Sequence, residues 1–171
     1  MKKPLLAILL TLAATLVGCA GNSPTDYDLE VANYGQYPDN YLEITSGFIA
    51  ADLGLVSPLP ASFYSWGKPV RGWDEGFDSI GTNNEGRWFG YVVCATVDRV
   101  YSGRFKHPSN KGGGPQLINK VFVFLLINDG EVRARSMMWR NGEVRTGTVM
   151  GNPVKTCKKN FPNARFQKHK F

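Results

Sequence analysis

The stretch Trp88–Asp98, WFGYVVCATVD, decides the fold. Its apolar side chains recur with period two, so Phe89, Tyr91, Val93, Ala95 and Val97 share one face of an extended strand, and that face belongs to a core. Cys94 falls on the opposite face. Downstream, residues 120–127, KVFVFLLI, are apolar on both faces, as a central strand is. Asn128-Asp129-Gly130 is a tight-turn signal, and 131–139, EVRARSMMW, returns as the next strand. Asn141-Gly142 marks a second turn before a last strand at 143–150. This is the pattern of an antiparallel meander.

Working outward toward the N-terminus, residues 56–87 are rich in Pro, Gly, Ser and aromatics. Pro58 and Pro60 exclude helix locally. A short strand is expected at Ser62–Ser65, followed by an exposed loop through Asp74–Gly86. Before them, residues 39–53, DNYLEITSGFIAADL, predict a helix. Tyr41, Ile44, Phe48 and Leu55 lie on one stripe, with Leu42 and Ile49 alongside. Asn40 with Glu43 reads as an N-cap with its capping-box acid, with Asp39 as a competing cap. Gly54 is the expected stop. Residues 20–37 are polar with turn formers and read as a tether, whose Tyr27, Tyr34 and Tyr37 suggest that its distal part docks on the domain. Residues 102–119 read as a long loop between strands, and 152–171 show no clear period. The expected fold is therefore α+β: one amphipathic helix packed on an antiparallel meander of about four to five strands. The expected organisation is a leader at 1–18, a tether at 19–37 and a single domain at 38–171 with a basic C-terminal tail.

The chain has 171 residues, 43% hydrophobic and 20% charged. These values exclude a disordered chain, a collagen-like repeat and a polytopic membrane protein. The formal net charge is +6, but it is split along the chain. Residues 19–98 carry 11 acids against Lys68, Arg71 and Arg87, whereas residues 99–171 carry 15 Lys or Arg against Asp129, Glu131 and Glu143. Such asymmetry points either to mutual neutralisation within the fold or to an anionic partner.

The first residues decide the compartment. Met1-Lys2-Lys3-Pro4 is a short cationic start, and the apolar run from Leu5 to Leu16 is too short to cross a hydrocarbon core of about 30 Å comfortably as a helix. It is followed by Leu16-Val17-Gly18-Cys19. This segment resembles a bacterial lipoprotein signal with its lipobox. The resemblance covers residues 1–19 and implies cleavage before Cys19, diacylglycerol on its sulfur and a further acyl chain on its nitrogen. Two or three chains anchor stably where one binds only marginally. Ala20 is not the Asp that retains enteric lipoproteins in the inner membrane, so the resemblance points to the outer membrane, facing the periplasm. More broadly, residues 38–131 resemble small uncharacterised exported proteins of Gram-negative bacteria. The shared features are a helix, a Ser-Phe-Tyr segment, Val92-Val93-Cys94 in a strand, a Gly-containing loop and Lys120–Gly130. That family implies no activity.

With Cys19 lipidated, Cys94 and Cys157 remain. In an oxidising compartment they are candidates for one disulfide that would pin the tail to the sheet; two buried free thiols are the alternative. His107 and His169 are the only histidines, and no Cys/His cluster has zinc spacing, so no metal and no cofactor is expected. Ser65-Trp66-Gly67-Lys68 matches Ser-x-x-Lys, but a glycine inside the motif and nearby prolines exclude the helix that would bring Ser and Lys together. Gly112-Gly113-Gly114 lacks the spacing of a phosphate loop. No catalytic residue is assigned.

Two basic patches remain. One is the tail, with Lys155, Lys158, Lys159, Arg165, Lys168 and Lys170 interleaved with Phe161, Phe166 and Phe171; it is the candidate anionic-surface binding segment. The other is Arg133 and Arg135 on one strand face with Arg145 beside them. The function expected is that of a membrane-anchored envelope lipoprotein with a non-enzymatic binding or structural role. Anionic lipid, lipopolysaccharide or an acidic envelope protein would be its partner; nucleic acid would not. Alternatives are an inhibitor or exclusion factor acting on an incoming enzyme or element, and an envelope hydrolase using acids such as Asp74 and Glu75.

Overall fold

A computed structural model describes residues 23–55, 62–75, 87–103, 116–139, 144–145 and 152–171. The chain divides into two compact units, one ending at Ala32 and the other running from Asn33 to Phe171. In the first, α1 (Asp26–Val31) is a short helix within the segment expected to be an irregular tether. Its start is a capping box: Thr25 Oγ1 accepts from the Asp28 N–H, and the Asp28 carboxylate accepts from the Thr25 N–H at 2.8 Å.

The second unit is mixed α/β, built on an antiparallel sheet. Its elements are α2 (Tyr41–Leu53), β1 (Ser62–Ser65), β2 (Val70–Glu75), β3 (Arg87–Ser102), β4 (Gln116–Asn128), β5 (Glu131–Trp139), β6 (Val144–Arg145), α3 (Pro153–Asn160) and β7 (Gln167–Lys170). The strand order is β6-β5-β4-β3-β1-β7, with β2 also paired to β3. β1 and β2 lie end to end on the same edge of β3: Ser65 is opposite Ala95 and Val70 opposite Val92. The residues between them, Trp66–Pro69, are two more than the partner strand requires, so the seven segments fill six positions.

The meander β3-β4-β5 follows the sequence pattern. The turn at Asp129 and Gly130 has both residues at positive φ, 48° and 78°, as a two-residue hairpin loop of matching twist requires. β3 and β4 outrun the expected segments at their shared end, so residues 116–119 are strand rather than loop. Residues 104–115 of that expected loop lie outside the described residues, as do most of the Asp74–Gly86 loop and residues 146–150.

Alternation gives the sheet two apolar faces. Val93, Ala95 and Val97 of β3, with Val121, Val123, Leu125 and Ile127 of β4, form one core with Ile49 and Leu53 of α2. Val92 and Cys94, with Phe124 and Leu126, form a second core with Trp66, Cys157 and Phe161. Both cores and the connection between them lie in Asn33–Phe171, so this unit carries its own folding core. The expectation of one helix is therefore corrected: the sheet has α2 on one face and α3 on the other. Within α2 the buried line is Thr45, Ile49 and Leu53, whereas Tyr41, Leu42, Ile44 and Phe48 are only half-buried around it. Asn40 makes no side-chain cap bond, contrary to the expected capping box; Gly54 does end the helix in the left-handed region, its N–H donating to the Ala50 carbonyl.

Residues 33–37 belong to this unit, not to a tether. Gly35, at φ 70°, passes so close to the β4–β5 turn that an added Cβ would sit 2.6 Å from the Asp129 backbone nitrogen. The Gln36 N–H donates to Asp129 Oδ1 at 2.9 Å, and the Asn128 side chain donates to the Asn33 and Phe89 carbonyls. Tyr34 then meets Phe89, and Tyr37 meets Tyr91, both edge to face. Tyr27, in α1, is exposed.

Candidate functional site

The segment 152–171, expected to lack regular structure, is a helix and a strand. Asn152 caps α3: its Oδ1 accepts from the Val154 and Lys155 N–H groups at 2.9 and 3.3 Å, and Pro153 occupies the first turn. Pro153, Cys157 and Phe161, spaced by four, are buried, and Lys158 and Lys159 stand in the last turn, where the helix dipole favours cations. Eight residues are too few for a stable isolated helix, so α3 owes its existence to what it buries. Phe161 alone is worth about 2 kcal/mol when fully buried.

α3 is also tied covalently. Cys94 and Cys157 form a disulfide, with Cα atoms 5.8 Å apart and a sequence separation of 63. Cys94 does face away from the first core, as expected, but into the second core rather than solvent. Beyond α3 the chain returns to the sheet. The Trp66 N–H donates to the Cys94 carbonyl and the Arg165 N–H to the Trp66 carbonyl, so the bulge between β1 and β2 receives the tail. The Trp66 indole N–H donates to Thr96 Oγ1 at 2.8 Å. β7 then adds to β1 as the edge strand.

This arrangement gathers five of the six tail cations on one side of the sheet. On α3, Lys155, Lys158 and Lys159 point away from the buried line and are exposed. On β7, Lys168 stands opposite Tyr64 and Lys170 opposite Ser62. Because Phe63 and Ser65 point toward the α2 side, Lys168 and Lys170 point toward the α3 side. Arg165 is exposed between the two elements. Among the described residues, no carboxylate pairs with any of these six. Charged lysines on an edge strand also discourage pairing with another chain.

The second basic patch is not a continuous face. A bulge between Leu126 and Ile127 puts an extra residue in β5, so Arg133 is out of phase with Arg135. Arg133 pairs with Glu131 at 2.9 Å, and the Arg135 guanidinium lies over the Phe48 ring of α2, 5.2 Å from its centre. A shallow, open hollow of about 630 Å³ beside the bulge is lined by Arg87, Trp88, Glu131 and Arg133 among others.

Ser65 Oγ and His169 Nε2 share a hydrogen bond of 2.9 Å, the spacing of a nucleophile and its base. Ser65, however, is 0% exposed, so a substrate carbonyl has no approach to it. The bond fastens β7 to β1, and the His169 ring stacks at a tilt on Phe63. Lys68 is exposed in the bulge after β1, so the Ser-x-x-Lys match is not on a helix. Asp74 and Glu75, expected in a loop, are the last residues of β2. Cys19, His107 and Gly112–Gly114 lie outside the described residues. Among the described residues no group of three or more His, Cys, Asp or Glu could hold a metal ion, and no helix is long and apolar enough to cross a membrane.

The chain matches no family model, no curated protein and no solved structure.

Proposed function

We propose that the protein is a lipid-anchored envelope lipoprotein with a non-enzymatic binding role, holding anionic envelope components against its C-terminal basic face. The lipobox resemblance at Leu16–Cys19 supplies the anchor: residues 1–18 are removed and Cys19 carries the acyl chains, most simply at the outer membrane facing the periplasm. The observation that carries the binding role is the gathering of Lys155, Lys158, Lys159, Lys168 and Lys170 on one side of the sheet, with Arg165 exposed between α3 and β7 and all six without a paired acid among the described residues. Each cation near an anionic surface contributes roughly 1 kcal/mol, so the face is worth more together than any one contact.

Two measurements test this. Mass spectrometry of the protein from membranes should find the acyl mass on Cys19, and Cys19→Ala should abolish both that mass and membrane retention. Residues 20–171 should pellet with sacculi or lipopolysaccharide at low salt and not at high salt. Charge reversal at Lys155, Lys158 and Lys159 should remove the pelleting; pelleting that ignores both salt and charge would refute the assignment.

A further inference from the structure

We infer that the α3 side of the sheet is a phospholipid-docking face: the domain lies with this side on an anionic bilayer, its cations at the headgroup phosphates and three exposed apolar side chains among the headgroups. The inference rests on the basic face proposed above and adds its apolar half. Phe166 is 60% exposed, held edge-on against Trp66 of the second core with ring centres 5.5 Å apart. It therefore projects on the α3 side, between Arg165 and Lys168. Tyr101 and Leu117 are directly opposite each other on β3 and β4, 37% and 40% exposed. Their neighbours Val100 and Ile118 are buried in the core under α2, so alternation turns Tyr101 and Leu117 to the α3 side as well.

The same side of one sheet thus presents cations and large apolar groups together. A phosphate group or a sulfated sugar would recognise the cations and leave the apolar groups in water. A bilayer interface uses both, since aromatic rings settle at headgroup level while Lys and Arg reach phosphate. A lipid anchor upstream would hold the domain at that interface, so modest affinity would suffice.

The test uses residues 20–171, which contain the whole of the self-contained unit Asn33–Phe171. Probes are vesicles of phosphatidylcholine alone, vesicles with phosphatidylglycerol added, and a column of sulfated polysaccharide. The expected result is binding to the phosphatidylglycerol vesicles and to the column, and none to phosphatidylcholine alone. Phe166→Ser combined with Leu117→Ser should lower vesicle partition about tenfold and leave the salt needed for column elution unchanged. Both positions are exposed, and a thermal melt checks that the variant is folded. Unchanged vesicle partition in this variant overturns the inference. So does column binding without vesicle binding, which leaves the basic-face reading intact. Failure to bind vesicles and column alike overturns both.

Discussion

Replacing both disulfide cysteines with alanine, Cys94→Ala and Cys157→Ala, should cost the domain about 4 kcal/mol. The figure follows from topology. The bridge spans a sequence separation of 63 and so restricts a long loop of the unfolded chain, which the chain-entropy account values at about 4 kcal/mol. Alanine is the right replacement because both sulfurs sit in an apolar core, where serine would bury an extra hydroxyl. Natural domains have only about 5–15 kcal/mol to lose, so the variant should remain folded but marginal, with Tm lower by roughly 12 °C. The loss should also be uneven. α3 is too short to persist alone, and the bridge attaches it at Cys157, one turn before its end. Amide exchange in Lys155–Asn160 should therefore quicken more than exchange in β3 and β4. Urea titrations of the oxidised protein and the double variant give the global term, and exchange mass spectrometry gives the local one. A loss below about 1 kcal/mol with unchanged α3 exchange would show that packing of Phe161 and Pro153 holds the helix by itself and would refute the reasoning.

Three further perturbations test the packing. Thr96→Val removes the acceptor of the buried Trp66 indole N–H and should cost about 1–3 kcal/mol in urea, with a shift in Trp emission; a neutral result would mean the indole finds another partner. Gly90→Ala would place a Cβ 2.4 Å from the Ile127 carbonyl oxygen, a clash with backbone rather than a flexible side chain, so a loss of about 2 kcal/mol or more is expected from a thermal melt. Burial pushes the Tyr34, Tyr37 and Tyr41 phenols above their ordinary range, Arg71 partly opposing this at Tyr34. The unfolded phenols ionise first, near pH 10, so this contribution to stability is intact below that pH and falls as pH rises toward the folded values. Urea midpoints should drop between about pH 9 and pH 11, and less so in the triple Tyr→Phe variant; an equal drop in both would exclude these tyrosines as the cause.

The meander was legible because its signals are local. Period-two alternation in Trp88–Asp98, apolar residues on both faces of 120–127 and the Asn-Asp-Gly turn each specify geometry from a few neighbours. β2 was hidden because Gly72 and the flanking turn formers look like loop, whereas its pairing is decided by β3, across the chain. The buried stripe of α2 was misread for a related reason: Thr45, a polar residue, takes a core position because its hydroxyl donates to the Tyr41 carbonyl at 2.6 Å and needs no other partner. α3 did leave a signal. Asn152-Pro153 is a cap followed by a first-turn proline, and Pro153, Cys157 and Phe161 recur at four-residue spacing. Read as a basic run without clear period, those residues conceal a helix whose stability comes from the sheet and from Cys94.

That concealment bears on function. A run of cations in a disordered tail would bind any anion with little orientation, because the tail must lose its freedom on binding. Here the same cations are fixed by elements with structural work of their own. α3 covers the second core and β7 closes a sheet edge that would otherwise expose β1. The bridge at Cys157 and the bond between Ser65 and His169 hold those two elements to the sheet. Little ordering remains to oppose binding, and the direction of the cationic side is set by the fold. Among the described residues, none of the acids in 19–98 pairs with the six tail cations. Asp98 pairs with Lys120 at 3.5 Å on the surface, while the six tail cations remain without a carboxylate partner among the described residues. At this face, among the described residues, the cations stand without the carboxylate partners that a charge division along the chain could supply.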